Sequence, residues 1–345
     1  MDAFAPTEKK TRWMTLIITA APMGLLAGYG ISAIVVTYSD GWWWAFYFII
    51  ITMLPLMLII SCIDSSYIDI KEHLRIKQAQ QETHQLAGGQ DEGNPNEALS
   101  DALSYISGSR SPSSAHNNKY QRMQARLIEL EEEKTKDMEF KERIWYILTR
   151  WDYVIFMFTM TCIFVVVTGI QFWITDYFIV VMGVERSYAY KLYFLMGAVG
   201  PVFGIILCAA LFDKIGGYTS ERAIPVCGVF GLLAMLSGMA STMVGESASL
   251  CAIFIMFELF CGAFVMPACT GIMLNQVPPN MRTIANSVAN FFYNLFGYLP
   301  APMMYGYFYQ MGDSSDNHWG LVSIQVFTIF AFAGFMAAYF RNQYV

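Results

Sequence analysis

Residues 211–222 read LFDKIGGYTSER, a short polar stretch holding an acid, two bases, a second acid and paired glycines between two long apolar runs. The flanking runs, Tyr190–Phe212 and Ala223–Val244, carry one charge between them, Lys191. A helix rises about 1.5 Å per residue, so some 20 apolar residues cross a bilayer. The polar stretch therefore reads as a loop at a membrane surface, turning one span back into the next.

The rest of the chain follows the same rule. Hydrophobic residues make up 56% of the 345 and charged residues 14%, against about 45–50% and about 25% in soluble domains. Eight runs have spanning length: Trp13–Val36, Trp42–Cys62, Tyr153–Thr175, Tyr190–Phe212, Ala223–Val244, Ser249–Leu274, Ile284–Phe308 and Trp319–Phe340. In hydrocarbon every backbone polar group must be bonded internally, which leaves helices or a closed barrel, and the alternating ten-residue strands of a barrel are absent. The fold class is all-α, a polytopic helical membrane protein with eight spans.

Lys and Arg avoid translocated loops and so give orientation. Three precede the first span (Lys9, Lys10, Arg12), twelve lie between Lys71 and Arg150, and Lys214, Arg222, Arg282 and Arg341 fall in later alternate loops. The opposite side has only Arg186 and Lys191, so both termini are expected in the cytoplasm; the choice of membrane stays open. Trp13–Val36 is too long for the apolar core of a cleavable leader and reads as a first span.

The net charge of −6 and the scattered basic residues exclude a nucleic-acid partner. All seven cysteines lie within the apolar runs without C-x-x-C or Cys/His spacing, which predicts packing residues, with neither metal nor disulfide. No H-E-x-x-H, H-x-x-x-x-D or G-x-S-x-G occurs and no histidine lies in a span, so an intramembrane enzyme and a cofactor are not expected.

The runs fall into residues 1–64, with two spans, a cytoplasmic segment 65–150, and residues 151–345, with six spans. The segment begins with a stretch rich in Gln, Ser, Asn and Gly that cannot bury enough surface to fold alone. Residues 118–150 then turn helical, with Tyr120, Met123, Leu127 and Leu130 at helical spacing and Glu132/Lys136, Asp137/Lys141 and Glu139/Arg143 as i,i+4 pairs. This helix is expected to lead into the third span, either as a solvated connector or as a docking element.

Two spans, a long cytoplasmic loop and six spans resemble the major facilitator superfamily plan of two six-helix bundles, with the first four helices missing. An internal repeat agrees. Setting Pro6 on Pro279 brings Lys9 onto Arg282 and Gly24 onto Gly297, and SDGWW at Ser39–Trp43 pairs with SDNHW at Ser315–Trp319. The loop quoted first then stands where that superfamily carries G-x-x-x-D-R/K-x-G-R/G. Asp213, Lys214, Gly216 and Gly217 match its D-K-x-G-G part, and Ala209 replaces the leading glycine. The resemblance implies a conformational latch formed by these four residues and Arg282, and close helix approach at Gly24, Gly28 and Gly30 of the glycine-rich first span. TGIQFWITDYF and VPPNMRTIANSVANFFYNLFGYLPAPMMYG resemble the Spinster branch, which implies lysolipid or sphingoid-lipid cargo.

Cargo contacts are expected at Gln171, Glu258, Asn290, Tyr293 and Asn294. Glu258 lies deep within span six, where a charge costs roughly 2.5–3.5 kcal/mol, so it needs a partner, water or a proton. It reads either as a proton-coupled or substrate-facing carboxylate or as a neutral, paired group locking two helices. Asn286, Asn290 and Asn294 form a stripe at i,i+4 spacing, either cavity lining or helix glue. Pro300 and Pro302 kink or terminate the outer part of span seven, and Trp173 is expected as an interfacial anchor.

The expected function is secondary transport of small organic or lipid-like solutes by alternating access, with membrane lipid and protons as partners, in a fragment lacking four helices. The alternative is a non-transporting membrane scaffold or regulatory subunit.

Overall fold

The computed structural model describes residues 43–63 and 138–344, apart from 219, 246 and 313–316, together with Thr135 and isolated positions between 20 and 35. Lys9, Lys10, Arg12, most of span one, Ser39–Trp42 and residues 64–134 lie outside the described residues. The described elements are helical: α1 (Trp44–Cys62), α2 (Phe140–Thr149), α3 (Trp151–Asp176), α4 (Arg186–Ile215), α5 (Ala223–Met243), α6 (Ala248–Asn275), α7 (Arg282–Phe292), α8 (Pro300–Met311) and α9 (Trp319–Tyr344). Among them, α3 with its extension to Val181, α4, α5, α6 and α9 are long and apolar enough to span a membrane.

The chain divides into two compact units. In the first, the described part is α1, a shorter apolar helix whose large side chains are exposed along its length. The second holds α2 to α9, with α6 at the centre of the bundle. It packs on α4, α5, α3 and α7, while α9 closes against α3, α5 and α8. Buried side chains form two apolar clusters. One gathers Tyr153, Phe156, Phe212, Phe264 and Phe335; the other gathers Tyr177, Phe178, Tyr193, Tyr305 and Ile324.

Between α4 and α6 the packing is close enough for backbone to meet backbone. A Cβ on Gly200 of α4 would lie 2.6 Å from the carbonyl oxygen of Met256 on α6, and one on Gly204 would overlap the carbonyl of Phe260. This G-x-x-x-G pair lets the two helices touch along their main chains. The glycines of span one have few described neighbours. Nothing described comes within 4 Å of a Cβ on Gly24 or Gly28, and Gly30 makes ordinary contact with Phe194.

The helix before the third span leads into it across a single residue. Arg150 has extended backbone (ψ 97°) between α2 and α3, and α2 has its own capping box from Glu139 and Glu142. The prolines of span seven accompany a break in the helix, the first of the two expected outcomes. Between α7 and α8 lies a single wide, π-helical turn, Tyr293–Tyr298, in which the Leu299 N–H donates to the Asn294 carbonyl at 3.0 Å. Pro300 has no N–H to donate, and in a regular helix its ring would crowd the carbonyl four residues back. The wider turn places it at the start of α8.

Candidate functional site

α7 is built with two unlike faces. Ala285 and Ala289 are fully buried, while Asn286, Asn290 and Asn294 are exposed in a row. The Asn290 amide donates to the Asn286 carbonyl at 2.8 Å and the Asn294 amide to the Asn290 carbonyl at 2.7 Å. Each of these two amides thus donates within its own helix, one turn back.

Tyr293, expected beside this row, points the other way. It is 4% exposed, and its hydroxyl reaches the Met273 sulfur at 3.4 Å inside the bundle. Phe164 of α3 packs between the rings of Tyr293 and Tyr298, at 5.0 and 4.9 Å between centroids. Gln171 is half-buried seven residues after Phe164, on the same face of α3 and so on the flank turned toward span seven. Trp173 is half-buried against the outer part of span seven. It stacks on Tyr305 at 5.0 Å and donates its indole N–H to the Pro302 carbonyl at 3.1 Å.

Glu258 does not join this face. It is 3% exposed and accepts a 2.8 Å hydrogen bond from the Gln325 amide of α9, itself fully buried. The pair lies between the two apolar clusters, beside a cavity of about 40 Å³ lined by side chains of α3, α5, α6 and α9, including Val166, Ala234 and Thr328. At roughly 10–15 Å³ per water centre, that volume has room for a few waters. Gly238 of α5 leaves the space that the two side chains occupy. The five expected cargo contacts therefore fall into three places: an exposed row with Asn290 and Asn294, a flank with Gln171, and buried positions at Tyr293 and Glu258. Gln325 was not among them. The signal for it was an amide alone in an apolar run, facing the demand that a buried acid makes for a donor.

At the end of α4 the two glycines take left-handed backbone, φ 96° at Gly216 and 85° at Gly217, and both N–H groups converge on the Phe212 carbonyl. The chain turns there in two residues that L side chains resist. Tyr218 then lays its ring over Gly271 of α6 and against Phe212. Burial, followed by Cys208 and the nearby Asp213 charge, pushes the Tyr218 hydroxyl up to about 12. Asp213 and Lys214 are exposed, and neither makes an ion pair among the described residues. Arg282 is half-buried with its Nε lacking a partner. The ion pair at this end is Arg341 with Asp152, which ties the end of α9 to the start of α3.

The family model of the Major Facilitator Superfamily matches residues 1–302, taking in the glycine turn, the buried acid and the polar row. The chain belongs to the Major Facilitator Superfamily. No curated protein matches it. As a member of that superfamily with several apolar membrane-length helices, it is an integral, multi-pass membrane transporter. The all-α polytopic fold expected from the sequence is the fold found.

Proposed function

We infer that this superfamily member moves a lipid-like or small amphiphilic solute past the exposed face of α7, by alternating access. One observation carries the reading. A membrane-length segment presents Asn286, Asn290 and Asn294 outward, all exposed, with the Asn290 and Asn294 amides bonded to carbonyls one turn back. Amides facing hydrocarbon are costly, so this face belongs against a wetted cavity. Exposed Phe291, Phe296 and Leu295 flank the row, giving one surface with both polar and apolar footholds, as a lysolipid or sphingoid lipid requires. The resemblance of TGIQFWITDYF and the segment around span seven to the Spinster branch supports the same cargo class. Gln171 extends the polar face from α3.

In this reading residues 151–345 form the moving bundle, residues 1–64 belong to the opposing one, and residues 65–150 link them on the cytoplasmic side, with both termini there. Among the described residues Asp213 and Lys214 make no ion pair and Arg282 Nε has no partner, which supports a latch role for the three. The test uses proteoliposomes containing a fluorescent lysophosphatidylcholine. Protein-dependent movement between leaflets, lost in Asn290→Leu/Asn294→Leu with normal yield of folded protein, is the expected result. Lysolipid movement equal to that of protein-free vesicles would dismiss the lipid cargo, and unchanged movement in the double variant would dismiss the polar row as its path.

A further inference from the structure

The pairing of Glu258 with Gln325 is incomplete in an informative way. Gln325 Nε2 donates to Glu258 Oε2, which leaves Glu258 Oε1 and Gln325 Oε1, both buried and both without a hydrogen-bond partner. The two orphaned oxygens converge. The position of a Cβ on Gly238 lies 2.7 Å from the first and 2.5 Å from the second. Two acceptors turned to one spot repel each other unless a donor stands between them, and a buried acceptor left unmatched is costly.

Among the described residues, the neighbouring hydroxyls are engaged elsewhere. From α5, Ser237 donates to the Phe254 carbonyl and Ser241 to the Gly238 carbonyl. From α9, Thr328 donates to the Gln325 carbonyl. The α3 side chains lining the adjacent cavity, Ile163, Val166 and Val167, are hydrocarbon. On α6 itself the nearest titratable groups are the thiols of Cys251 and Cys261. No Lys, Arg or His lines the cavity.

We propose that Glu258 and Gln325 form a proton-binding site, in which one proton on Glu258 Oε1 donates to Gln325 Oε1 and closes a two-bond acid–amide ring between α6 and α9. The ligand is a proton taken from water. With it bound, every polar atom of both side chains in the ring has a partner and no net charge sits between the two apolar clusters. The site is separate from the α7 face, so it does not depend on the cargo reading. It joins α6, the central helix, to α9, and any motion that separates these helices must break both bonds together.

The experiment is infrared spectroscopy of the full chain in lipid nanodiscs, with and without carboxyl-¹³C glutamate. A protonated-carboxyl stretch that shifts with the isotope label should persist between about pH 6 and pH 8, where exposed glutamates are ionised. It should vanish in Glu258→Gln and move to a freer-carbonyl position in Gln325→Leu. Glu258→Gln should keep its melting temperature, because its amide donates to Gln325 Oε1 as the acid did. Absence of an isotope-sensitive protonated-carboxyl band in the wild type, which needs no variant to fold, overturns the proposal. So does a band that survives Glu258→Gln, or one that Gln325→Leu leaves unmoved.

Discussion

Gly204 of α4 lies so close to Phe260 of α6 that one added methyl group would overlap the Phe260 carbonyl oxygen. Gly200, one turn earlier, stands in the same relation to Met256. The obstructing atoms are backbone, which cannot swing aside as a side chain would. Gly204→Ala is therefore expected to cost about 1–3 kcal/mol or more, the range for overpacking. Gly228→Ala in α5, where nothing lies within 4 Å, should gain a few tenths to about 1 kcal/mol from helix propensity. Thermal unfolding in detergent compares the two, and equal melting temperatures would show that α4 and α6 are not in main-chain contact.

The glycine turn after α4 makes a second demand. Gly217 has φ 85° and its N–H bonds to Phe212 at 2.8 Å, so Gly217→Ala should lose roughly 1–2 kcal/mol through backbone strain alone. Gly217→Asn, which tolerates left-handed backbone better, should recover part of it. The same unfolding assay reads both, and an alanine variant as stable as the parent would mean that the turn relaxes without cost.

The exposed row on α7 is open to direct chemical test. Cys62 is the one exposed cysteine of seven, the other six being buried, so Cys62→Ser gives a background with little reactive thiol. Asn290→Cys and Asn294→Cys in that background should react with a membrane-impermeant maleimide, while Ala289→Cys, fully buried, should not. Labelling of the Asn positions only after detergent is added would place the row against lipid.

Asp213 bears charge at an exposed position with no ion pair among the described residues. Asp213→Asn should leave stability within about 0.5 kcal/mol, as surface substitutions do, yet slow cargo movement if the carboxylate latches onto the opposing bundle. Unaltered flux with unaltered stability would remove Asp213 from the mechanism.

Membrane helices are legible from sequence because hydrocarbon allows so few alternatives. The apolar runs gave the spans from the third onward to within a few residues, and the turn at Gly216–Gly217 was marked by residues chosen for left-handed backbone. Contacts between helices were less legible, because an apolar helix looks alike on every side. Gly24 and Gly204 have the same composition signal, but among the described residues Gly204 meets a neighbour's backbone and Gly24 meets nothing within 4 Å. Tyr293 and Asn294 are adjacent in the chain, yet a helix turns about 100° between them, and that angle separates core from surface. Glu258 announced its need for a partner, but that the partner is Gln325 depended on the way α6 faces the bundle.

The wide turn at Tyr293–Tyr298 makes span seven two helices set out of phase. One additional residue in a turn advances everything beyond it by about 100°, so Trp173 meets Tyr305 only because that residue is present. Removing a single residue there would leave both ends of the span intact and swivel the outer half like a key, carrying Tyr305 off its stacking partner. The span thus carries a built-in phase step, with the outer helix beginning just past it at Pro300.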